Sequence, residues 1–453
     1  MSEVVTTSQQ GLAGKYKPYP EYKDSGVEWL GDIPTHWSTT VLKRLCCLTT
    51  GLTPPTSDET NYAEDGYPWV RPEDINESGS ETNASKFVSN DGWQLLRKIE
   101  PNSTLICCIG TIGKCGYVRK TVSTNQQITA ATFSKSGRYN YYLLQAARTQ
   151  LEELATGNVL KILNTERLGA LNLVKVPVEE ADTIAAFIDY ETARIDRLIA
   201  QQQRLIELLK EKRQAVISHA VTKGLNPDVP MKDSGVEWIG QVPEHWEALP
   251  IKYVSWFVGT GGTPKDRDSF TDENEINWFT PGDFNGELVL DDSGKYVTKG
   301  SILSGDAKIY PAESVLIVGI GATLGKVGVC NFKFSCNQQI NIVTPNRKIA
   351  VDFLAFSLLA QTEQMKQTSN ASTIGIMNQE KTKGIQIAVP PVQEQTSLII
   401  HLKKKLSDFS LTTSKAEQLI ALLQERRSAL ISAAVTGKID LRGWTPPAEE
   451  VAA

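Results

Sequence analysis

The stretch KDSGVEWLGDIPTHW at residues 23–37 recurs as KDSGVEWIGQVPEHW at residues 232–246, with 11 of 15 positions identical at an offset of 209. The match continues, in the same order, through four more pairs of segments. These are TGLTP (50–54) with TGGTP (260–264), WVRPEDIN (69–76) with WFTPGDFN (278–285), IGTIGKCG (109–116) with IGATLGKVG (320–328), and STNQQI (123–128) with SCNQQI (335–340). Self-similarity of this kind marks a repeated architecture. The chain is therefore a tandem duplication.

Each half is predicted to close with a long helix, because LIELLKEKRQAVISHAVT (205–222) pairs with LIALLQERRSALISAAVT (419–436). In the first helix a seven-residue stripe is formed by Ile188, Ile195, Gln202, Leu209 and Val216, with Leu198 and Leu205 at the companion core position. In the second it is formed by Leu402, Phe409, Ala416, Leu423 and Leu430, with the companion stripe interrupted at Lys405 and Thr412. One such stripe is most often ordinary domain core, but two repeated helices of about 40 residues favour a coiled coil.

Each half begins with a short Trp-rich segment, here called the lead, and a globular region, here called the globule, separates the lead from the long helix. The globules contain short β-rich runs, STLICCIG and SVLIVGIG, interrupted by Gly, Pro and Asn. The predicted fold class is α+β: two repeated mixed α/β domains, separated by two long helices that form an antiparallel coiled-coil spacer with pseudo-two-fold symmetry. The predicted boundaries are an N-terminal tail at 1–22, a first domain with its Trp-rich lead at 23–180, spacer helix 1 at 181–222, a second domain with its lead at 223–392, spacer helix 2 at 393–436, and a C-terminal tail at 437–453.

Charge is distributed unevenly along the chain. Taken over the whole chain, the net charge of −5 and the pI near 5.7 argue against binding to nucleic acid. Residues 101–150, however, hold six basic residues and no acidic one, and residues 314–351 hold four basic and none acidic. Because the two windows lie at matching places of the repeat, they favour contact with DNA.

Other features of the composition predict a cytoplasmic protein without a membrane partner. No stretch reaches the roughly 18 apolar residues that a membrane helix needs, and the first 26 residues are polar. The seven cysteines form no CxxC pair, which is typical of idle thiols in a reducing compartment. None of the four histidines has a partner at metal-ligand spacing, so we expect no metal site.

Motifs of catalysis are incomplete. GIGATLG at residue 319 leads into an extended run rather than a helix, and the GK pairs are not followed by Ser or Thr as in a phosphate-binding loop. The three Pro-Pro pairs lack the Asp or Asn of adenine methyltransferases. We therefore predict no catalytic residues and no enzyme. Two alternatives stay open: the glycine-rich segments bind a nucleotide or S-adenosylmethionine, or the chain is a coiled-coil scaffold with no DNA role.

The repeat also sorts the candidate DNA-binding residues, because residues identical in both halves cannot make the halves read different bases. The shared candidates for phosphate contact or structure are Thr53, Lys114, Asn125, Gln126 and Gln127 with Thr263, Lys326, Asn337, Gln338 and Gln339. The candidates for base discrimination are Arg71 against Thr280, Lys265 and Arg267 against Pro55 and Ser57, and Arg119 and Lys120 against Asn331 and Phe332. Arg138 and Lys333, from the basic windows, complete the set.

From about residue 15 to residue 441 the chain resembles the specificity subunit of type I restriction and modification systems. The resemblance rests on the repeated GVEWLGDIPTHW lead, the turns TGLTP and TGGTP, the IG-x-GK and NQQ segments, and the helices ending in AVT. It implies two target-recognition domains that read a bipartite, asymmetric site in double-stranded DNA. It also implies two modification subunits that use S-adenosylmethionine and two restriction subunits, with ATP and Mg²⁺ on these partners and no cofactor in this chain.

The resemblance further implies that the exposed faces of the helices contact the modification subunits. The candidate partner-binding residues are Arg194, Arg197, Lys210, Lys212 and Arg213.

Overall fold

The computed structural model describes residues 16–77, 81–157, 160–369 and 375–447. The chain divides into two compact units, one made of Met1–Arg204 with Ala416–Ala453 and the other of Leu205–Lys415. The predicted tails at 1–22 and 437–453 lie partly outside the described residues. Each of the two long helices begins in one unit and ends in the other.

The first unit contains twelve labelled strands and most of the first long helix. The strands are β1 Tyr22–Asp24, β2 Asp32–Pro34, β3 Ser38–Val41, β4 Cys46–Thr50, β5 Tyr62–Ala63, β6 Tyr67–Val70, β7 Phe87–Val88, β8 Ser103–Cys107, β9 Cys115–Val118, β10 Ser123–Thr124, β11 Ile128–Phe133 and β12 Asn172–Lys175. The helices are α1 Asn90–Gln94, α2 Gly137–Ala146, α3 Arg148–Leu154, α4 Thr165–Gly169 and the start of α5 Val178–Lys223.

The second unit repeats this order of elements. The strands are β13 Met231–Asp233, β14 Gln241–Pro243, β15 Glu247–Pro250, β16 Ser255–Thr260, β17 Phe270–Thr271, β18 Ile276–Phe279, β19 Tyr296–Val297, β20 Ser314–Val318, β21 Val327–Cys330, β22 Ser335–Cys336, β23 Ile340–Pro345 and β24 Gln386–Val389. The helices are α6 Lys299–Ser304, α7 Val351–Ala360, α8 Thr362–Ser369, α9 Gln379–Gly384 and the start of α10 Val392–Val435.

Both units have the same sheet topology. A main antiparallel sheet has the order β4-β11-β8-β9 in the first unit and β16-β23-β20-β21 in the second. A small sheet has the order β10-β6-β7-β5 in the first unit and β22-β18-β19-β17 in the second. In each small sheet one pair is parallel, β10 with β6 and β22 with β18. The duplication seen in the sequence is therefore a duplication of the fold.

Strands β8 and β20 of the main sheets are buried on both faces, which explains their apolar runs. In β8, Ile106 belongs to the large core beneath the helices, whereas Leu105 and Cys107 belong to a separate core on the opposite face. In β20 the neighbours Val315 and Leu316 are divided between two cores in the same way. Because successive strand residues point to opposite faces, a strand between two cores has no polar face.

The Trp-rich lead of the first unit, together with Tyr19 from the segment predicted as an N-terminal tail, is fastened to the first turn of α5 through a buried glutamate. The Glu180 carboxylate, 8% exposed, accepts hydrogen bonds from the Tyr19 hydroxyl at 2.6 Å and the Trp37 indole nitrogen at 3.1 Å, and its second oxygen lies 2.8 Å from His36 Nε2. Burial raises the pKa of Tyr19, and the hydrogen bond to Glu180 raises it further. Tyr19 is therefore a neutral donor at any physiological pH.

The second unit has the same clamp in a more open form. The Glu394 carboxylate near the start of α10 lies 2.8 Å from His245 Nε2 and accepts a hydrogen bond from the Trp246 indole nitrogen at 3.0 Å. Its side chain is 32% exposed. The repeated His-Trp pair of the lead thus binds a helix glutamate in both units.

The seven-residue stripe of each long helix faces inward as predicted, but the predicted companion positions are wrong. Leu198 is 45% exposed and Leu205 is 38% exposed. The inward companion lies four residues after the stripe rather than three, at Ile199 in the first unit and Leu406 in the second. A seven-residue apolar repeat is compatible with a companion three or four residues after the stripe, and the packing of the helices buries the one four residues after it. The predicted interruption at Lys405 and Thr412 therefore falls on an exposed face.

Within the first unit the two long helices run in opposite directions. Arg427 Nε lies 3.1 Å from Asp196 Oδ1, and the Phe187 ring packs edge-on against Trp444 beyond the end of α10, with centroids 5.4 Å apart. As residue numbers rise along α5, the numbers of their contacts fall. In the second unit the end of α5 and the start of α10 contribute to one core through Ile217 and Leu402.

The first clamp should stabilise the fold more than the second, because its glutamate is more deeply buried and has one more donor. We expect Glu180→Gln to lower the free energy of unfolding by about 2 kcal/mol, the range for hydrogen bonds to a buried charged group, and Glu394→Gln to lower it by about half as much. Urea denaturation of the full chain measures both. Equal losses, or no loss at Glu180, would contradict this role of the lead.

Candidate nucleic-acid interface

Three segments that repeat in the sequence meet in the first unit. The backbone nitrogen of Asn125 donates to the carbonyl of Val70 at 3.1 Å, and that of Leu52 donates to Thr124 at 2.9 Å. The Trp69 indole donates to the carbonyl of Leu52 at 3.1 Å. Residues 51–54, 69–71 and 125–127 thus form one cluster of turns, here called the first junction.

The second unit builds the same arrangement. The backbone nitrogen of Asn337 donates to Phe279 at 3.0 Å, and that of Gly262 donates to Cys336 at 2.8 Å. The Trp278 indole donates to the carbonyl of Gly262 at 3.2 Å. Residues 261–264, 278–280 and 337–339 form the second junction. The shared sequence motifs are therefore the framework of a repeated surface site.

The NQQ segments divide into structural and exposed residues. Asn125 is buried; its Oδ1 accepts from the Gln127 backbone nitrogen at 3.1 Å, and its Nδ2 donates to Gln127 Oε1 at 2.9 Å. Asn337 makes both hydrogen bonds to Gln339 at 3.0 Å. These four side chains hold the turn. The middle residue, Gln126, is exposed.

The exposed glutamine of each turn is held by a threonine of the neighbouring turn. The Thr53 hydroxyl donates to the Gln126 side-chain oxygen, and the Thr263 hydroxyl donates to that of Gln338, which is also exposed. Among the shared candidates, these threonines and middle glutamines are the ones that the structure places together on the surface.

The shared lysines serve as tethers inside each unit. Lys114 Nζ donates to the carbonyl of Pro72 at 3.3 Å, and Lys326 Nζ donates to that of Phe284 at 2.6 Å. Both carbonyls belong to the segment that follows the end of the tryptophan strand, β6 or β18. Of the two roles predicted for these lysines, phosphate contact or structure, the geometry supports structure.

Arg138, predicted as a DNA contact, instead fastens α2 to α5. Its guanidinium is 17% exposed and donates to Asp189 Oδ1 at 2.6 and 2.9 Å. It also lies over the rings of Tyr117, Tyr141 and Tyr142 at 4.8 to 5.1 Å. Burial alone would lower the pKa of Arg138, but the hydrogen bond to Asp189 raises it. The sequence window 101–150 contains no acidic residue, but the carboxylate that pairs with Arg138 comes from α5, outside that window.

The remaining basic candidates are exposed on loops. Arg119 and Lys120 lie between β9 and β10, and Lys333 lies at the equivalent place between β21 and β22. Lys265 and Arg267 follow the turn of the second junction, in a loop whose backbone nitrogens at 265 and 266 donate to Asp306 at 3.1 and 3.2 Å. Their contact with DNA stays a prediction.

Arg71 and Thr280 occupy equivalent places at the ends of β6 and β18. Each precedes a short 3₁₀ turn, and the backbone nitrogen of each donates to the aspartate three residues on, Asp74 at 2.9 Å and Asp283 at 2.6 Å. The Thr280 hydroxyl also bonds Asp283, whereas the Arg71 side chain extends away from the cap to Glu73 at 2.9 Å. One backbone frame thus presents two unlike side chains.

The candidate partner-binding residues lie on α5. Arg194, Arg197, Lys210 and Lys212 are exposed, whereas Arg213 is half-buried. Arg194 also pairs with Glu191 on the same helix at 3.2 Å.

The glycine-rich segments do not form a nucleotide loop at a helix start. Residues 109–114 and 319–326 lead into strands β9 and β21, as the extended sequence pattern predicts.

The cysteines are free, and burial raises the pKa of Cys107 to about 11 and that of Cys46 to about 12, so these two are thiols at neutral pH. In the part of the chain that the structure describes, no cluster of His, Cys, Asp or Glu is arranged to hold a metal ion. The described helices are all too short or too polar for a bilayer span.

The chain matches known proteins over most of its length. Residues 34–208 and 243–421 match the family described as Type I restriction modification DNA specificity domain. The chain belongs to this family. It is 21% identical to a subunit assigned to specificity in the MjaX type I restriction enzyme of Methanocaldococcus jannaschii, over 91% of this chain and 96% of that one. It is also 21% identical to the EcoKI specificity subunit of Escherichia coli strain K12, over 90% of each chain.

A solved structure supports the fold of this specificity subunit. A chain from a study of complex assembly and conformational transition in a type I restriction-modification system superposes with a TM-score of 0.71 and 14% identity, covering 89% of this chain and 98% of that one. Membership of the family makes the protein a non-catalytic subunit that recognises DNA. The junctions are the repeated surface through which we expect that recognition.

Sequence reasoning missed the part of this surface formed by β5, β6 and β7 and their counterparts. Lys86 and Lys295 precede β7 and β19 at equivalent places, as Glu64 and Asp272 follow β5 and β17. The detectable signal is the tryptophan that begins the matched segments 69–76 and 278–285, since Trp69 and Trp278 anchor this part of the surface in both units. The offset between equivalent residues is 208 from β5 to β17 and 209 from β6 to β18. This one-residue shift hides the rest of the match in a comparison of the two sequences.

The junction of this specificity subunit requires glycine where two backbones touch. A Cβ added at Gly261 would lie 2.1 Å from the carbonyl oxygen of Asn337, and one at Gly51 would lie 2.2 Å from that of Thr124. Nothing lies within 4 Å of a Cβ at Gly262, whose counterpart is Leu52. Glycine is therefore required at Gly51 and Gly261, where two backbones approach closely, and not at Gly262.

We expect Gly261→Ala to lower the free energy of unfolding by more than about 2 kcal/mol, because backbone must move to admit the methyl group. The matched control Gly262→Ala should change it by less than about 0.5 kcal/mol, the usual range for a surface substitution. Chemical denaturation of the two variants beside the natural chain measures this. A Gly261→Ala variant as stable as its control would show that the second junction is looser than described.

Proposed function

We propose that this specificity subunit reads a bipartite, asymmetric target in double-stranded DNA, with one part of the target read by each unit. The two target-recognition domains are the globules of the two units, and each presents its junction to the DNA. The subunit also brings the modification and restriction subunits of the complex to that target.

The observation that carries this proposal is the repeated junction, which is surrounded by unlike side chains in the two units. Both junctions have the same backbone hydrogen bonds and the same threonine-glutamine pair. Around this framework, Arg71 stands where the other unit has Thr280, and Lys265 and Arg267 stand where the other has Pro55 and Ser57. Identical residues give both units the same means of holding DNA, and different residues give each a different sequence to read.

The two long helices are proposed as the spacer that fixes the gap between the two parts of the target. At about 1.5 Å per residue, the 46 residues of α5 span about 69 Å, which is about two turns of B-DNA. The opposite direction of the helices within the first unit supports an antiparallel pair. A pseudo-two-fold relation between the two units belongs to the same proposal.

The exposed faces of the helices are proposed as the surface for two modification subunits. Besides the exposed basic residues of α5, several leucines are exposed that a solvated helix would not need, since large exposed apolar residues are enriched where partners bind. In the first unit these are Leu198, Leu419 and Leu422, and in the second Leu205, Leu208 and Leu411. S-adenosylmethionine, ATP and Mg²⁺ are proposed to act on the partner subunits, with two restriction subunits completing the complex.

Mapping of methylated bases in cells that express the subunit with its modification partners tests the proposal. We expect one motif made of two dissimilar parts separated by a gap of fixed length. Binding of the assembled complex to that motif should weaken steeply with salt, by 10³-fold or more between about 50 and 200 mM when six or more phosphates are contacted. A single continuous motif would contradict the two-part target, and affinity independent of salt would indicate a scaffold without a DNA role.

A further inference from the structure

Each unit carries an open cleft on its small sheet, beside the junction. The first cleft has a volume of about 540 Å³ and the second about 440 Å³. Strands β5, β6 and β7 provide most of the first wall, and β17, β18 and β19 provide most of the second. The tryptophan of each cleft is 7% exposed and also belongs to a small hydrophobic core, with Val88, Trp93 and Leu96 in the first unit and with Val297 and Ala307 in the second.

The two clefts are the same feature repeated. Strand by strand, their linings pair as Tyr62 with Phe270, Glu64 with Asp272, Trp69 with Trp278, Lys86 with Lys295, and Phe87 with Tyr296. In both, an aromatic ring meets the tryptophan edge to face, with centroids 6.0 Å apart in the first cleft and 5.0 Å in the second. Each therefore combines apolar ring faces with one lysine and one carboxylate.

The tryptophan joins each cleft to its junction. The indole of Trp69 lines the first cleft while its nitrogen donates to the carbonyl of Leu52, one residue before Thr53. Trp278 does the same with Gly262, one residue before Thr263. In each unit one tryptophan thus connects the cleft to the turn that carries the threonine of the threonine-glutamine pair.

Arg71 makes the first cleft chemically distinct from the second. Its side chain lines the first cleft, whereas Thr280 is turned into its own cap by Asp283 and does not line the second. The guanidinium is held by Glu73, whose side chain is 57% exposed, and by Ser85 at 3.4 Å. An exposed pair of this kind contributes little stability, so a stronger acceptor can replace Glu73.

Among the base edges of duplex DNA, an arginine fork matches guanine best, because guanine O6 and N7 accept two parallel hydrogen bonds in the major groove. The contacts of Arg71 with Glu73 and Ser85 are both made by Nη2, so they leave Nη1 of the fork unused. Ring faces such as Tyr62 and Phe87 supply apolar contact for neighbouring bases.

We propose that the paired clefts are the base-reading pockets of the two units, and that Arg71 makes the first pocket select a guanine. The second pocket, with Thr280 at the equivalent place, selects a different base. This inference rests on the proposed function, because it assigns residues to the reading of a two-part target.

Three variants of the full chain, each assembled with its modification partners, test the inference. Arg71→Ala removes the donor fork. Thr280→Arg places a fork in the second unit, on a backbone frame that already holds an arginine in the first. Lys98→Ala is the charge-matched control, because Lys98 is exposed over Trp93 and lies outside the cleft. Methylation mapping and competition binding with duplexes altered one base pair at a time give the readouts.

Arg71→Ala should lose about 10- to 100-fold of discrimination at a single G·C pair in one part of the target, leaving the other part unchanged. Arg71→Lys should restore some of this loss. Thr280→Arg should change the preferred base at one position of the other part, and Lys98→Ala should change none. Unfolding curves matching the natural chain show that the variants are folded.

Several outcomes would overturn the inference while leaving the proposed function intact. If the natural complex has a two-part motif but Arg71→Ala weakens binding to every sequence alike, Arg71 contacts phosphate and the cleft reads no base. If Arg71→Ala has no effect, or if Thr280→Arg changes neither part of the motif, the clefts are not the pockets. A natural complex with no two-part motif, by contrast, overturns the proposed function itself.

Discussion

The core of each unit is closed by helix ends that come from both halves of the sequence. In the first unit, Ile184 and Ile188 from the start of α5 share a core with Leu430 and Val435 from the end of α10. In the second, Ile217 from the end of α5 shares a core with Leu398 from the start of α10. The sequence repeat of lead, globule and helix is therefore not the folding unit. Neither half of the sequence contains all the residues that its globule needs.

This constraint separates stability from recognition along the chain. The lead, the clamp glutamates and the inward stripes of the helices fix the globules, and they are alike in both units because they do the same work in each. The junctions are also alike in backbone and in the Thr53-Gln126 and Thr263-Gln338 pairs. The differences lie in the side chains that this common frame carries, as at Arg71 and Thr280. A duplicated protein can thereby acquire two specificities without altering its fold.

Much of this organisation follows from self-comparison of the sequence. The matched segments predict the repeated elements, and the apolar runs at β8 and β20 predict strands, because two-sided burial removes polar residues from both faces. The seven-residue stripes predict the long helices, but Leu198 and Ile199 are equally apolar, so periodicity alone does not select the buried companion. The helix residues that pair within a unit lie far apart in the chain, as Asp196 and Arg427 do in the first unit, so no local pattern predicts their contact.

The candidate site was less accessible from the sequence. The NQQ segment is a visible motif, but only the structure shows that Asn125 is buried in its turn and that Gln126 is exposed. Arg138 belongs to an acid-free window, yet its partner Asp189 comes from α5, outside any local pattern. The clefts escape detection because their linings come from three short strands with a shifted offset. Local pattern shows which residues repeat, whereas contacts between distant segments decide what each one does.

We propose that each unit reads its own part of the target through its own globule. A chain in which the globule of the first unit replaces that of the second, with both long helices retained, tests this most directly when it is assembled with the modification subunits and its methylated motif is mapped. We expect the base sequence read by the first unit to occur in both parts of the motif, with the gap unchanged. A motif that keeps its original second part would contradict it.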